Sequence, residues 1–198
     1  MLLGIDIKLI LALLSTTITI CAYFPYVRDI FRGTTKPHLY TWLVWLLTQG
    51  TATVALWYGG GNFAAISLTV GLLLVLFVLT LSFRYGTKNI TRSDGVVLAL
   101  ALFAIVLWWQ LKNPLPSVLM VSAIDAAGYI PTFRKSYEEP WSETLSFWAA
   151  MAIASVLALL ANGEYNFLTV TYLATLATAN SILFLICYFR RKSVVQST

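Results

Sequence analysis

The chain has little charge and few of the residues that build metal or catalytic centres. Only 11% of its 198 residues are charged, whereas soluble globular domains carry about a quarter. It contains one histidine, His38, and two cysteines, Cys21 and Cys187, at no metal-ligand spacing. No nucleophile–base pair is recognisable. We therefore predict that the protein is not an enzyme and holds no metal or cofactor, and that both cysteines are packing residues.

Long apolar segments make up most of the chain, and its mean hydropathy is +0.80. A helix needs about 20 mainly apolar residues to span the hydrocarbon core of a bilayer. Seven segments qualify: Ile7–Tyr26, His38–Tyr58, Phe63–Phe83, Gly95–Leu111, Leu115–Pro131, Leu145–Ala161 and Phe167–Phe189. The first lacks the basic start and cleavage site of a signal peptide, so we expect a mature helix. The sequence predicts an all-α, multi-pass protein whose first partner is the lipid bilayer.

The basic residues alternate between the two sides of these segments. If the first loop is cytoplasmic, the inner side collects Arg28, Arg32, Lys36, Arg84, Lys88, Arg92, Arg134, Lys135, Arg190, Arg191 and Lys192. The outer side keeps only Lys8 and Lys112. The positive-inside rule then places the N-terminus outside and the C-terminus in the cytoplasm. The net charge of +5 is explained by this topology, and we predict no nucleic-acid partner.

A sequence repeat divides the chain into two similar parts. The segment Tyr23-Phe24-Pro25-Tyr26-Val27-Arg28 is echoed by Tyr129-Ile130-Pro131-Thr132-Phe133-Arg134, and Pro25 and Pro131 are 106 positions apart. Trp42 and Trp148 have the same separation. Such self-similarity predicts a duplicated unit, with three helices in residues 1–86, a linker helix in 87–113 and three helices in 114–198. The single linker helix lets both copies run in the same direction through the membrane.

The proline-containing corners resemble those of the SWEET and PQ-loop (MtN3-like) transporter superfamily. The resemblance rests on Phe24-Pro25-Tyr26, the following Arg32-Gly33-Thr34-Thr35-Lys36, and Pro131-Thr132-Phe133-Arg134. Tyr26 and Thr132 stand where a strict PQ-loop protein has Gln. The resemblance implies a 3+1+3 arrangement of seven helices with substrate held between the bundles at mid-depth, where Asn180 matches an Asn of helix 7. PnuC-type vitamin transporters and KDEL receptors share this architecture.

Four polar side chains are predicted to meet near the middle of the membrane. At about 1.5 Å per residue, Thr19, Gln49, Asp125 and Asn180 lie roughly 13–16 Å from the cytoplasmic ends of their helices, and half of the hydrocarbon core is about 15 Å. We therefore expect these four residues to line one substrate site.

Asp125 is the only acidic residue at that depth. A carboxylate at the bilayer centre costs about 2.5–3.5 kcal/mol or more, and such residues usually face a cavity and mark ion or proton pathways. Three hypotheses follow: a proton-coupling site, a neutral carboxyl bonded to Thr or Asn of a neighbouring helix, or a cation site. An Asp in the pocket also favours an amino- or cation-bearing substrate.

The other candidates have two interpretations each. Gln49 and Asn180 fit substrate binding and interhelical bonding equally. Trp45 and Trp148 can stack on a ring-shaped substrate, and Trp148 also fits an interface anchor. Tyr129 lies one turn from Asp125 on the same helical face.

The repeated prolines suggest movement of the helices. Pro25 and Pro131 each remove a backbone hydrogen bond and kink the helix. With Tyr23, they form a predicted hinge or gate, and fixed kinks are the alternative.

The predicted function is transport of a small polar solute, of the sugar, amino-acid or vitamin class, by alternating access. Proton coupling through Asp125 is a hypothesis within this prediction. The alternative is a membrane receptor or scaffold that binds a ligand without transporting it. We expect the protein in the plasma (inner) membrane of a prokaryote, and a homo-oligomer is compatible with the sequence.

Overall fold

Helices account for the whole of the regular structure in the described part of the chain. The computed structural model describes residues 6–33, 37, 39–86, 92–138 and 140–193. Its elements are α1 (Ile7–Phe31), α2 (Leu39–Tyr58), α3 (Phe63–Tyr85), α4 (Arg92–Leu111), α5 (Pro114–Glu138), a 3-10 turn (Pro140–Ser142), α6 (Leu145–Leu160) and α7 (Phe167–Ser193). The all-helical fold class is confirmed, and each predicted segment corresponds to one α-helix.

Three of these helices, α1, α3 and α7, are long and apolar enough to cross a membrane. Two shorter apolar stretches lie in α4 (Gly95–Trp108) and α6 (Leu145–Leu160). The remaining helices, α2 and α5, carry several buried polar side chains, such as Thr48 and Asp125. A membrane-associated protein is therefore supported, and seven spans remain a prediction.

Three helices extend beyond the ends expected from hydropathy. The apolar segments stop near Tyr26, Pro131 and Phe189, but α1, α5 and α7 continue to Phe31, Glu138 and Ser193. Helical backbone bonding does not require apolar side chains, and a proline removes only one such bond. Pro25 consequently lies inside α1, where the sequence had suggested the end of the helix.

The packing of the helices follows the sequence repeat. In the first set, α3 packs against both α1 and α2, and in the second set α7 packs against both α5 and α6. Between the sets, α1 packs against α6 and α2 against α5. Exchanging the two sets leaves these pairings unchanged. This arrangement creates a central interface to which each set contributes three helices.

The fourth helix breaks that symmetry. It packs against α2 and α5, where Ala101 joins Val44 and Ile124 in a small apolar cluster. The contact between α2 and α5 is therefore flanked by α4. The contact between α1 and α6 is accompanied by α3, which packs against both helices.

The two cysteines differ in their surroundings. Cys187 is buried, as predicted for a packing residue, whereas Cys21 is exposed on α1. The prediction for Cys21 was wrong because depth along a helix does not determine which way a side chain points around its axis.

Candidate functional site

A cavity lies at the interface between the two sets of three helices. Its volume is about 80 Å³, which is room for on the order of five water molecules. All seven residues predicted to bind substrate line it, together with the predicted gate residue Tyr23: Thr19, Trp45, Gln49, Asp125, Tyr129, Trp148 and Asn180. The structure thus brings these residues together. Their role in substrate binding remains a prediction.

The lining of the cavity repeats the offset seen in the sequence. Several lining residues form pairs separated by 106 positions: Thr19 and Asp125, Tyr23 and Tyr129, Trp42 and Trp148, and Gln49 and Ser155. The cavity therefore lies where equivalent surfaces of the two copies face each other. The chemistry of the pairs is not equal, because Asp125 of the second copy has an uncharged partner in Thr19.

Asp125 is buried in this lining, with 2% of its surface exposed. Its Oδ1 accepts a hydrogen bond of 2.7 Å from the Thr48 hydroxyl of α2, and the Tyr172 side chain of α7 reaches the same carboxyl group. Asp125 is the only charged side chain among the described residues of the cavity wall. The contact with Thr48 matches the second of the three hypotheses for Asp125. A carboxyl oxygen accepts such a bond in either protonation state, so the contact is compatible with proton coupling as well.

A second set of hydrogen bonds in the cavity wall connects α5 to α7 and α7 to α6. The Tyr129 hydroxyl donates to Asn180 Oδ1 at 3.1 Å, and Asn180 Nδ2 donates to Ser155 Oγ at 3.0 Å. On the opposite side, Gln49 Nε2 donates to the Leu68 carbonyl at 3.2 Å. Both amides therefore make interhelical bonds and also line the cavity, so the two interpretations of these residues are compatible.

Aromatic rings fill one end of the interface. We name it the basic end because Arg28, Arg84 and Arg190 lie near the C-terminal ends of α1, α3 and α7. Here Tyr26 stacks on Phe147 with centroids 5.1 Å apart, and Tyr23 meets the same ring edge-on at 5.6 Å. Tyr23 and Tyr26 belong to the first copy and Phe147 to the second. The rings therefore join the two copies and close the cavity towards the basic end.

Trp148 has a polar contact at this end as well. Its indole Nε1 donates to Glu143 Oε2 at 3.1 Å, while its ring lines the cavity. Arg191 donates to the Glu143 carbonyl at 2.6 Å. Trp148 thus reaches from the cavity wall to the charged segment before α6.

Hydrogen bonds close the opposite end, which we name the glycine end after Gly59–Gly61. The Gly163 N–H donates to the Gly61 carbonyl at 3.2 Å, and Asn166 Nδ2 donates to the Gly59 carbonyl at 3.2 Å. Lys8 Nζ donates to the Gly163 carbonyl at 2.9 Å. A side chain at Gly61 or Gly163 would collide with neighbouring atoms, so glycine permits this close approach. Contacts between the two copies therefore flank the cavity at both ends.

Pro25 lies away from the cavity. It lines a groove of about 610 Å³ between α1 and α3, together with Phe24 and Phe77. A smaller groove of about 380 Å³ lies between α5 and α7 and includes Phe133. The side chain of Pro131 lies outside the described residues. The hinge role of both prolines stays a prediction.

No protein-family model, characterised protein or solved structure matches this chain. The site is therefore interpreted from the residues of the chain itself.

Sequence reasoning missed several polar residues of the site, among them Thr48, Ser155 and Tyr172. Thr48 precedes Gln49 directly, and Ser155 is the repeat equivalent of Gln49 at an offset of 106, so the repeat could have identified Ser155. No sequence signal distinguished Tyr172 from the other aromatic residues. Ser122, three residues before Asp125 on α5, is buried but absent from the cavity lining.

Proposed function

We propose that the protein is a multi-pass membrane transporter that moves a small polar solute by alternating access. The proposal includes seven membrane spans in a 3+1+3 arrangement, with the glycine end outside and the basic end in the cytoplasm. One observation carries it: a small cavity with a buried carboxyl group in its wall lies between two equivalent sets of helices, and contacts between the sets flank it at both ends. Secondary transporters commonly bind substrate near the bilayer midplane at the interface between repeats.

The two closures differ in chemistry, which gives the transport cycle two separable steps. Opening to the outside breaks the hydrogen bonds that Gly163 and Asn166 make with the glycine turn. Opening to the cytoplasm separates the ring of Phe147 from Tyr23 and Tyr26. Because each closure joins the first copy to the second, rocking one set against the other opens one end while the other stays closed.

In this cycle Asp125 is the residue that takes up and releases a proton. Its position in the cavity wall, away from any cationic side chain among the described residues there, supports this role. A charged carboxylate in such a place is costly, so binding of a proton makes the change between the outward-open and inward-open conformations more favourable.

The resemblance to the SWEET and PQ-loop superfamily supports the same proposal, which includes the plasma membrane of a prokaryote as the location of the protein. Two copies in one chain supply both sides of the cavity. A homo-oligomer is therefore compatible with transport but not required for it.

Uptake by purified protein in liposomes tests the proposal. Sugars, amino acids and vitamins are first screened for thermal stabilisation of the protein at two pH values, and each hit is then tested for flux. In Asp125→Asn the amide oxygen still accepts the bond from Thr48, so folding is retained while proton coupling is lost. The matched control is Ser122→Ala, on the same helix but off the cavity.

Two results would contradict the proposal. If a ligand stabilises the protein but no solute is transported, the protein is a receptor. If uptake by Asp125→Asn keeps the rate and pH dependence of the wild type, Asp125 has no role in coupling.

A further inference from the structure

Three aromatic rings line the cavity together with its one carboxylate. Trp45 and Tyr129 lie with ring centroids 6.0 Å apart, and Tyr129 and Trp148 lie 6.3 Å apart at an angle of 66°. All three rings line the cavity with Asp125. Tilted aromatic faces around a small space are the arrangement by which proteins hold quaternary ammonium groups, through cation–π attraction.

The charge of the wall favours a cation over other solutes. Asp125 is its only charged side chain, and the other titratable groups there are the phenols of Tyr23 on α1, Tyr129 on α5 and Tyr172 on α7. The lining residues of α2, α3 and α6 are not titratable, and no described residue of α4 lines the cavity. An anion would be repelled by the carboxylate, whereas an ammonium group would be attracted to it and would neutralise its charge.

We propose that the substrate is a compact organic cation with an ammonium head, and that the cation and a proton occupy Asp125 in turn. This inference rests on the proposed transport function and adds its substrate class. The protein then exchanges one cation for one proton across the membrane.

The exchange follows from the cost of a bare carboxylate in the cavity. With a proton bound, the site is neutral. With the ammonium group paired to the carboxylate, it is neutral again. Without either partner, Asp125 would be an uncompensated charge in the cavity while the protein changes its orientation, which is unfavourable. The empty protein therefore changes slowly between its outward-open and inward-open conformations. The proton-bound and cation-bound forms make this change readily.

The atoms and charges of the cycle balance. On one side, the O–H bond of the Asp125 carboxyl breaks, its proton passes to water, and the ammonium head binds the carboxylate. On the other side the cation leaves, and a proton from water forms the O–H bond again. One positive charge moves in each direction, so the exchange is electroneutral.

The small volume of the cavity limits the size of the head group that it can hold. Its volume of about 80 Å³ is well below the roughly 300–1,000 Å³ of pockets that enclose drug-sized ligands. A methylated ammonium head is compact and turns its methyl groups towards the rings. We therefore choose tetramethylammonium and choline as probes.

A pH-sensitive dye inside proteoliposomes tests the exchange. The lumen is made acidic, and choline or tetramethylammonium is added outside. Permanent cations are chosen because amines cross bilayers in their neutral form and would alter the luminal pH without the protein. We expect the lumen to become alkaline as protons leave. The response should stay the same when the membrane potential is changed with potassium and valinomycin.

Two controls without a variant and three variants accompany this measurement. The neutral isostere of choline, in which carbon replaces nitrogen, should give no response, and neither should liposomes without protein. Asp125→Asn should lower the response at least about 30-fold, because truncating one partner of a buried charge pair costs that much or more. Asp125→Glu keeps the charge and should retain part of the response. Ser122→Ala should respond as the wild type does.

The outcomes separate the inference from the proposed function. If a neutral solute is transported and neither cation alters the luminal pH or competes with that solute, the substrate class is wrong and the transport function stands. If no solute of any class is transported, both fail. A cation response that persists in Asp125→Asn overturns the role of the carboxylate in exchange.

Discussion

Weakening the hydrogen bonds at the glycine end should shift the protein towards an outward-open conformation. We choose Lys8→Met, which removes the donor to the Gly163 carbonyl and keeps most of the apolar stem. It is combined with Asn166→Asp, which removes the donor to Gly59. The aspartate still accepts from the backbone N–H groups of Leu168 and Thr169, so the start of α7 keeps its cap.

The size of the shift follows from the number of bonds removed. Each hydrogen bond contributes about 0.5–1.5 kcal/mol net, so the double variant loses about 2 kcal/mol from the closed state. Since 1.4 kcal/mol is a factor of ten, the ratio of open to closed protein should rise about 30-fold. Either single variant should raise the ratio of open to closed protein about fivefold.

The rate at which a cysteine in the cavity is chemically modified reports that ratio. Ala158 lines the cavity two residues before the end of α6, so Ala158→Cys is a small change near the glycine end. Cys21 and Cys187 are first replaced by alanine. A membrane-impermeant maleimide added outside should then modify the double variant about 30-fold faster than its parent.

The control is the other lysine of the predicted outer side, Lys112, which follows α4. Lys112→Met removes the same charge and should leave the rate of modification unchanged. An equal rate in the double variant and its parent would refute the reasoning, because the two bonds that were removed would then not hold the outer closure. An equal increase with Lys112→Met would assign the effect to charge alone.

Two further predictions concern stability. Asn180→Leu removes the bonds to Tyr129 and Ser155 and leaves a buried hydroxyl without its acceptor, so we expect a loss of about 1–3 kcal/mol, measured as a lower unfolding temperature in detergent. Ser155→Ala breaks only one of these bonds, and an equal loss in both variants would contradict this account. Asn162 is fully buried and its amide has no partner among the described residues. Asn162→Leu, similar in shape, should therefore stabilise the protein by about 1 kcal/mol, and a lower unfolding temperature would show that the amide is satisfied in solution.

The positions of the helices along the chain could be predicted from the sequence because they depend on local properties. Runs of apolar residues marked the beginning of each helix to within a few residues, from Ile7 of α1 to Phe167 of α7. The helix ends were less accurate, since α1 and α5 continue through their prolines. Hydropathy detects the apolar part of a helix and not its last turns.

The depth of the site residues could be predicted for the same reason. A helix rises by a constant distance per residue, so residues at equal distances from the charged ends reach equal heights. Thr19, Gln49, Asp125 and Asn180 line one cavity, as that argument predicted. The offset of 106 positions between the copies then identified equivalent pairs such as Tyr23 and Tyr129.

Only the tertiary structure decided which side chains meet across the interface. Consecutive residues differ by about 100° around the helix axis, and the packing of α2 against α5 determines which of them faces the carboxylate. Thr48, and not its neighbour Gln49, therefore binds Asp125. The place of α4 beside α2 and α5, and the closure of Gly163 against Gly61, likewise depend on contacts between distant parts of the chain. The sequence determined the height of each group in the bundle, and the packing determined its direction, because direction depends on how the helices turn towards one another.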